Sequence, residues 1–450
     1  MNILCIGYYD KFSRFFLGIK SALKKENPNL QFKIYSLYFS GFFYSFLRGN
    51  SSSLFSFKAW WNVFFNKRKY LKIVGSQTHY HSIDLHELIA YQFQLNEKTS
   101  RKQMLLQAIS YIDLMHKEIE RFQPDAILLI GDSRLLIEIT KQLAQQRKIK
   151  TWFVEQGPFQ TTFFDEKGVN ANASIRGFSS EENSLQREKI DSINSFLIRN
   201  RQQKYSRCPF YRGIDYFLDF LLKKSSFYPP DLKVPEPFLK KYDLCKNKNF
   251  TPFDSEKFHE ENPNKPIFLL ICQVPFDVNM SHHSPHFNSH FELLKNVYQN
   301  LPENAILVVR EHPLFKGKYE RIFYDFLQEN SIYIDCNKDF NSIFDQANII
   351  LVNNSTVGLE AISRKKTVVV LGNSYYDHSG ICLKLVDKCR LRELLEHSLE
   401  FRPDPEKINA FLYEFLFNHL IEGFITDEKQ IAPKSIAQRI NCYFKNQSAS

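Results

Sequence analysis

Apolar and polar positions along this chain follow two rhythms. MNILCIGYY at the N-terminus is a short apolar run, DKFSRFFLGIKSALKK after it carries apolar residues at helical spacing, and FKIYSLYF is a second apolar run, the opening of a βαβ unit. PDAILLIGDSRLLIEITKQLAQQRKIKTWFVEQG repeats the pattern, which predicts strands at 125–131 and 151–154 around a helix. Residues 1–180 therefore read as a Rossmann-like parallel α/β domain. Charge, Ser, Asn and isolated Pro dominate 181–262, which reads as helices and a long connection. Alternation resumes at KPIFLLICQV, with strands predicted at 266–274, 305–310, 331–335, 348–352 and 367–371 and helices near 287–300, 318–329, 339–346 and 356–364. Five strands separated by helices make a second doubly wound domain over 263–400. The remainder, 401–450, is expected to be a helical tail that packs back on the first domain.

Two doubly wound α/β domains facing across a cleft would place ligands at the C-terminal ends of their strands. The bulk numbers agree with that size of structure: 450 residues exceed what one core serves, and 43% hydrophobic residues suffice for two. A net charge of +10 selects no partner class by itself, and no nucleic-acid partner is expected. The eight cysteines form no CxxC pair, so neither a zinc site nor a disulfide framework is indicated, and a reducing cytoplasm fits. The opening residues lack the pattern of a signal peptide, and no run approaches the ~18 apolar residues of a membrane span. There is no GxxxxGK[ST], and Gly7 and Gly131 belong to no GxGxxG, so ATP or NAD use is not expected. The aromatic tract 36–70 ends in a basic cluster; it reads as buried helices of the first domain or as a surface touching lipid or a lipid-linked acceptor.

Four polar clusters fall at predicted strand ends. QVPFD (Gln273–Asp277) brings a carboxylate just past a buried strand, where Asp277 could act as nucleophile or base, or cap the next helix. VVREHP places Arg310 and His312 after the next strand, a fork and a ring donor suited to an anion. Asn354, Ser355 and Thr356 stand at a helix N-terminus, where capping and phosphate binding are compatible. In the first domain Glu155 ends a strand, and Gly168-Val169-Asn170 follow in a polar loop. Glu155 and Asp277 would supply a carboxylate from each domain, an arrangement that glycosyl chemistry often employs. The SHHSPH stretch (His282, His283, His286) lacks companion ligands at metal spacing and reads as lining the cleft or contacting an acceptor.

These residues carry a resemblance. QVPFD resembles a QVxxD element, REHP an xHP element, NNSTVGLEAISRKKTVVVLGNSYYD an NSTxGxxAxxxGxxVxxLGxxxYD element, and EQGPFQTTFFDEKGVNANAS an ExGxxxxTxxxDxxGVNxxxS stretch of the bacterial capsule polysaccharide biosynthesis proteins, the retaining β-Kdo transferases. The matches cover mainly 150–178 and 266–380. Pro275 and Phe276 stand where relatives tend to have acidic or small residues, and Lys365 where Gly is common. The resemblance implies a GT-B glycosyltransferase that uses CMP-β-Kdo without metal or other cofactor. It implies Asp277 as nucleophile, Glu155 as acid/base, and His312 on the CMP phosphate. Gln273, Arg310, Asn354, Ser355, Thr356 and Gly358 would lie on the donor side, and Asn170, His282 and His283 on the acceptor side. The expected partners are a CMP-activated sugar, a polysaccharide or lipid-linked acceptor, and the cytoplasmic face of the inner membrane as a peripheral contact. The alternatives are an inverting GT-B enzyme with another nucleotide sugar and a non-catalytic capsule-assembly protein of this fold.

Overall fold

The structure, a computed structural model, describes residues 1–95, 99–179, 185–199, 203–233, 250–254, 264–275, 277–337 and 339–449. Cys245, Phe276 and much of the 181–262 connection lie outside the described residues. The chain divides into two compact units, residues 1–174, 194–235 and 415–450 in one, and 175–193 and 236–414 in the other. Each has its own seven-stranded sheet.

In the first unit the strands are β1 (Asn2–Gly7), β2 (Gln31–Ser36), β3 (Ser51–Leu54), β6 (Ala126–Ile130), β7 (Lys150–Gln156), β8 (Thr161–Asp165) and β16 (Leu420–Glu422), numbered along the whole chain; the hairpin β4 (His79–Tyr80) and β5 (Ile83–Asp84) is separate. Their order is β16-β8-β7-β6-β1-β2-β3. Strands β3, β2, β1, β6 and β7 are parallel, whereas β8 and β16 add antiparallel at one edge. AILLI of β6 is buried throughout, because helices cover both faces of a parallel sheet. Helix α1 (Asp10–Glu26) and the C-terminal helix Ile431–Ala449 pack on one face, where Phe15, Phe16 and Ile19 meet Ile436 and Ile440 in one core. The other helices of this unit used below are α2 (Phe39–Phe46), α3 (Phe55–Ser76), α4 (Leu85–Leu95), α5 (Arg101–Phe122), α6 (Leu135–Gln146) and, after α7 (Arg187–Leu197), α8 (Pro209–Leu222).

The second sheet is wholly parallel, in the order β15-β14-β13-β10-β11-β12-β9. Its strands are β9 (Thr251–Pro252), β10 (Ile267–Ile271), β11 (Ile306–Arg310), β12 (Tyr333–Ile334), β13 (Ile349–Val352), β14 (Thr367–Val370) and β15 (Leu383–Lys384). IFLLI, IILV and TVVV are buried from end to end. All five strands predicted here form, and two-residue strands β9 and β15 extend the edges. The α/β class with two Rossmann-like doubly wound sheets and a C-terminal helix is therefore as expected.

The strand order sets the position of a site. Strand β10 has β11 on one side and β13 on the other, with connections leaving in opposite directions, so the crevice for a ligand opens past the C-terminal ends of β10 and β13. In the first sheet the equivalent reversal falls between β1 and β6.

Candidate active site

At the β10/β13 switch point the loop after β10 carries Gln273 and Asp277, the loop after β11 carries His312, and the turn after β13 opens the helix Thr356–Ser363. Three strand ends thus bring together residues 80 positions apart in the chain.

Asp277 is the N-cap of a short helix, Val278–Ser281: its Oδ1 accepts from the Val278 N–H at 2.7 Å and its Oδ2 from Asn279 Nδ2 at 3.2 Å. His312 lies close enough for the Asp277 charge to raise its pKa against a larger lowering by burial, so the ring is held below its ordinary value. The Leu314 N–H donates to His312 Nδ1 at 3.3 Å, which assigns the proton of the neutral ring to Nε2. Neutral His312 is then a hydrogen-bond donor through Nε2.

Gln273 is 7% exposed, and neither side-chain amide atom meets a hydrogen-bonding partner among the described residues. Leaving such a group unsatisfied costs about 1–3 kcal/mol, so this amide calls for a partner, which a water or a ligand can supply. Its backbone, by contrast, is fixed twice. The Gln273 N–H donates to His290 Nε2 at 3.3 Å, and the Gln273 carbonyl accepts from the Tyr319 hydroxyl at 3.0 Å. The same hydroxyl accepts from the His312 N–H at 3.0 Å. Tyr319 therefore clamps the β10 loop to the β11 loop. Burial pushes the His290 pKa down to about 3, which keeps it the neutral acceptor that this N–H needs. Behind them, buried Glu311 accepts from the Gly317 N–H at 2.8 Å and from Tyr324 Oη at 2.7 Å, its pKa raised by burial.

The Asn-Asn-Ser-Thr segment acts first as a brace. Asn353 Nδ2 and Asn354 Nδ2 donate to the Asn279 carbonyl at 3.2 and 2.8 Å, and Asn354 Nδ2 also to the His283 carbonyl at 3.1 Å. Both amides thereby hold the helix that Asp277 caps. Ser355 Oγ caps the next helix through the Val357 N–H at 3.4 Å, and the Ser355 carbonyl accepts from Tyr376 Oη. Thr356 is exposed at the first helical position. Gly358 is required by contact: a Cβ there would lie 2.8 Å from Tyr376 Cζ. Gly372 is required likewise, since a Cβ would meet Asn353 Oδ1 at 2.6 Å and the His283 carbonyl oxygen at 2.8 Å.

Arg310 turns into the unit. It is buried, ion-paired with fully buried Asp335 and set 4.9 Å over the Phe340 ring, so its charge is matched inside the sheet. The cationic groups at the neighbouring strand end are Lys384 and Arg176, both paired with Asp377 and both bonded to Asn373 Oδ1, at 3.0 and 3.1 Å. His283 is buried and His282 stacks edge-on against it at 5.1 Å; the His283 carbonyl accepts from the Asn373 N–H at 2.8 Å.

Glu155 and Asn170 belong to the first unit. Glu155 is the penultimate residue of β7, its Oε1 accepts from the Gln156 N–H at 2.9 Å, and its charge raises the pKa of Lys11, which burial lowers. Asn170 sits at φ 50° in the loop after β8. That loop is held by Asp132, whose Oδ2 accepts from the Val169 N–H and Asn172 Nδ2 at 3.0 Å each, and by Asp165, whose carboxylate takes the Lys167 and Ser174 N–H groups. A cavity of about 800 Å³ in this unit lies against β8, β16 and the C-terminal helix, with Trp152, Phe417, His419 and Arg439 in its lining. None of the residues singled out from the sequence lines it.

His290, Tyr319, Glu311 and Asp335 were not singled out from the sequence. Tyr319 follows REHP by six residues, and Asp335 ends a predicted strand; those positions were the available signals.

Residues 245–425 match the family model described as capsule polysaccharide biosynthesis protein, the family whose motifs the sequence resembles. Protein FixF of Sinorhizobium fredii is 28% identical over 202 residues, 44% of this chain and 46% of that protein, so the chain spans less than half the length of this relative. Capsule polysaccharide modification protein LipB of Neisseria meningitidis is 23% identical over 336 residues, 67% of this chain and 75% of that protein. Among solved structures, the β-Kdo 2,7 transferase of Thermosulfurimonas dismutans KpsC aligns with 72% of this chain and 89% of its own at 15% identity and a TM-score of 0.39.

Proposed function

We propose that this chain is a retaining glycosyltransferase of capsule polysaccharide biosynthesis that moves Kdo, or a similar acidic sugar, from its CMP-activated form to a polysaccharide or lipid-linked acceptor. The observation that carries the reading is the buried amide of Gln273, without a partner among the described residues, on the loop that also carries Asp277, whose charge reaches His312 on the next loop of the β10/β13 switch point. A sugar nucleotide supplies what that place lacks: hydroxyl or carboxylate groups for the amide, a phosphate for His312 Nε2–H and for the N-terminus of helix Thr356–Ser363, and an anomeric carbon for a carboxylate.

In the first step an Asp277 oxygen forms a bond to the anomeric carbon while the bond from that carbon to the phosphate oxygen breaks, and CMP leaves with the electron pair. His312 donates a hydrogen bond to the departing phosphate and keeps its proton. In the second step the acceptor hydroxyl oxygen bonds to the same carbon, the Asp277 ester bond breaks, and the hydroxyl proton passes to a general base, a nearby histidine or the Glu155 that the resemblance implies for that role. Two inversions give retention. Arg310 serves here by position, fixing β11 through Asp335 so that His312 is correctly placed. No metal has a role in this scheme.

The two bonds that Asp277 accepts from Val278 and Asn279 favour a second reading, in which it is a base or a helix cap and transfer is inverting. Intact-protein mass after incubation with CMP-Kdo separates the two. A sugar-sized gain in the wild type that is absent from Asp277→Asn and Asp277→Ala supports the nucleophile; transfer without any adduct, with the sugar inverted in the product, supports the second reading. If neither transfer nor a CMP-induced rise in melting temperature occurs, the donor assignment is wrong.

A further inference from the structure

Helix α8 is amphipathic in the reverse of the usual sense. Its apolar face points outward: Tyr216, Phe217, Phe220 and Leu221, at helical spacing, are exposed, Phe220 by 84%. Its acidic residues point inward. Asp215 is buried and accepts from the Ser40 N–H at 2.9 Å, and Asp219 accepts from Tyr228 Oη. A helix facing water presents the opposite arrangement.

The apolar surface extends across neighbouring elements. The Tyr44 and Tyr211 rings, 5.1 Å apart, join α2 to α8, and Phe46 and Leu47 are exposed at the end of α2. Beyond α8, Phe227 stacks 5.7 Å from Phe64 of α3, and Trp60 Nε1 donates to the Ser226 carbonyl at 2.8 Å. On α3 the inward residues Phe57, Trp60 and Val63 are buried, whereas Trp61, Phe64 and Phe65 are exposed, Phe65 by 87%. The aromatic tract read from the sequence therefore splits into a buried face and an outward one. Large contiguous exposed apolar surfaces mark interaction sites.

The charges that α3 contributes are basic, with Lys69 paired to Asp113. Residues 36–76 contain no Asp or Glu, and Lys58, Lys67, Arg68, Lys69 and Lys72 are exposed on α3, with Lys224 exposed just past α8. Among the described residues no helix is long and apolar enough to cross a membrane. Aromatics and basic residues together, on helices too polar to insert through, match an interfacial surface rather than a spanning one.

We infer that the surface formed by α2, α3, α8 and Phe227 docks on an anionic phospholipid bilayer, with the Phe and Trp rings in the headgroup–acyl boundary and the lysines on lipid phosphates. The inference does not rest on the donor or the reaction, because a vesicle without any acceptor is enough to test it.

The experiment is co-sedimentation with vesicles of phosphatidylcholine alone and of phosphatidylcholine with about one third phosphatidylglycerol, together with light-scattering mass in solution. The variants are Phe217→Ser/Phe220→Ser and Lys58→Gln/Lys67→Gln/Arg68→Gln/Lys72→Gln, all exposed positions. The wild type is expected to bind the phosphatidylglycerol vesicles at least about tenfold more tightly than the neutral ones, with salt weakening the binding. Each variant is expected to lose about tenfold or more with its melting temperature unchanged. The inference is overturned if the wild type binds neither vesicle, if the variants bind as the wild type does, or if the Phe variant converts a dimer to a monomer and leaves vesicle binding intact, which would assign the surface to a second copy of the chain.

Discussion

His290 offers a sharp test of how the site is held. Its Nε2 accepts the Gln273 N–H, so the ring must be neutral in the folded protein, and burial takes its pKa from the ordinary 6.5 down to about 3. A histidine with a lowered folded pKa contributes stability that is complete above the unfolded value and is lost as pH falls below 6.5, down to about 3, because the unfolded chain takes up the proton first. Each pH unit in that window costs about 1.36 kcal/mol. Between pH 7 and pH 5 the loss from this one residue is therefore about 2 kcal/mol, since 1.5 units lie below 6.5, and any folded value under 5 gives the same result. For a unit of this size, that is a fall of about 4–8 °C in melting temperature. The assay is thermal or urea unfolding of the wild type and of His290→Gln, which keeps an acceptor for Gln273 but does not titrate. Other groups also titrate here, so the difference between the two proteins is the quantity read. The variant is expected to lose about 2 kcal/mol less than the wild type on going to pH 5. Equal losses in both would refute the neutral, buried role of His290 and with it the account of how Gln273 is fixed.

Two further outcomes follow from backbone positions in the NNSTVG element. Gly358→Ala pushes a Cβ to 2.8 Å from Cζ of buried Tyr376, whose hydroxyl is bonded to Ser355, and is expected to cost about 2–3 kcal/mol in urea unfolding; a neutral result would show that the ring moves aside freely. Lys365 stands at φ 57° where its helix ends, its N–H bonded to the Ile362 carbonyl at 2.8 Å, so Lys365→Gly is expected to raise stability by roughly 0.5–1 kcal/mol, and a fall would contradict the strain assigned to it.

Much of this was legible in the sequence because buried parallel strands announce themselves. IFLLI, ILVV, IILV and TVVV are apolar runs bounded by polar turns, and each became a strand within a few residues of its expected limits. What escaped was short or lacked that signal. SSSL of β3 contains one apolar residue and pairs only at an edge, while β9 and β15 are two residues long. TTFFD and LIE became the antiparallel strands β8 and β16. LIE lies inside the tail 401–450 that was expected to be helical, where a π-helical segment, Glu414–His419, ends one helix and the strand follows. The polar strand-end clusters were placed by the same signal as the strands. Their partners were not, because Tyr319, His290 and Asp335 act across 17–46 positions through tertiary pairing that no local pattern encodes.

The motif residues divide by what they touch. Asn353, Asn354, Gly358 and Gly372 are occupied by neighbouring backbone or a tyrosine ring, so the most specific part of the resemblance describes a platform: a turn shaped to hold the loop after β10 against the start of a helix. Asp277, His312 and Gln273 lie in the two short elements, and they supply what the platform presents: a carboxylate, a neutral ring donor and an unpartnered buried amide. Under the proposed reading, such a platform would accept any sugar nucleotide whose phosphate reaches the helix N-terminus. Discrimination among sugars then belongs to groups with unsatisfied hydrogen-bonding capacity, since a site built to bond a polar group rejects the analogue that lacks it far more strongly than an apolar site can. Gln273 has that property. Under the proposed transfer, the choice among donor sugars would fall to Gln273 and to Asn354, whose Oδ1 also lacks a partner among the described residues, and the donor phosphate to the capping end of the helix at Ser355.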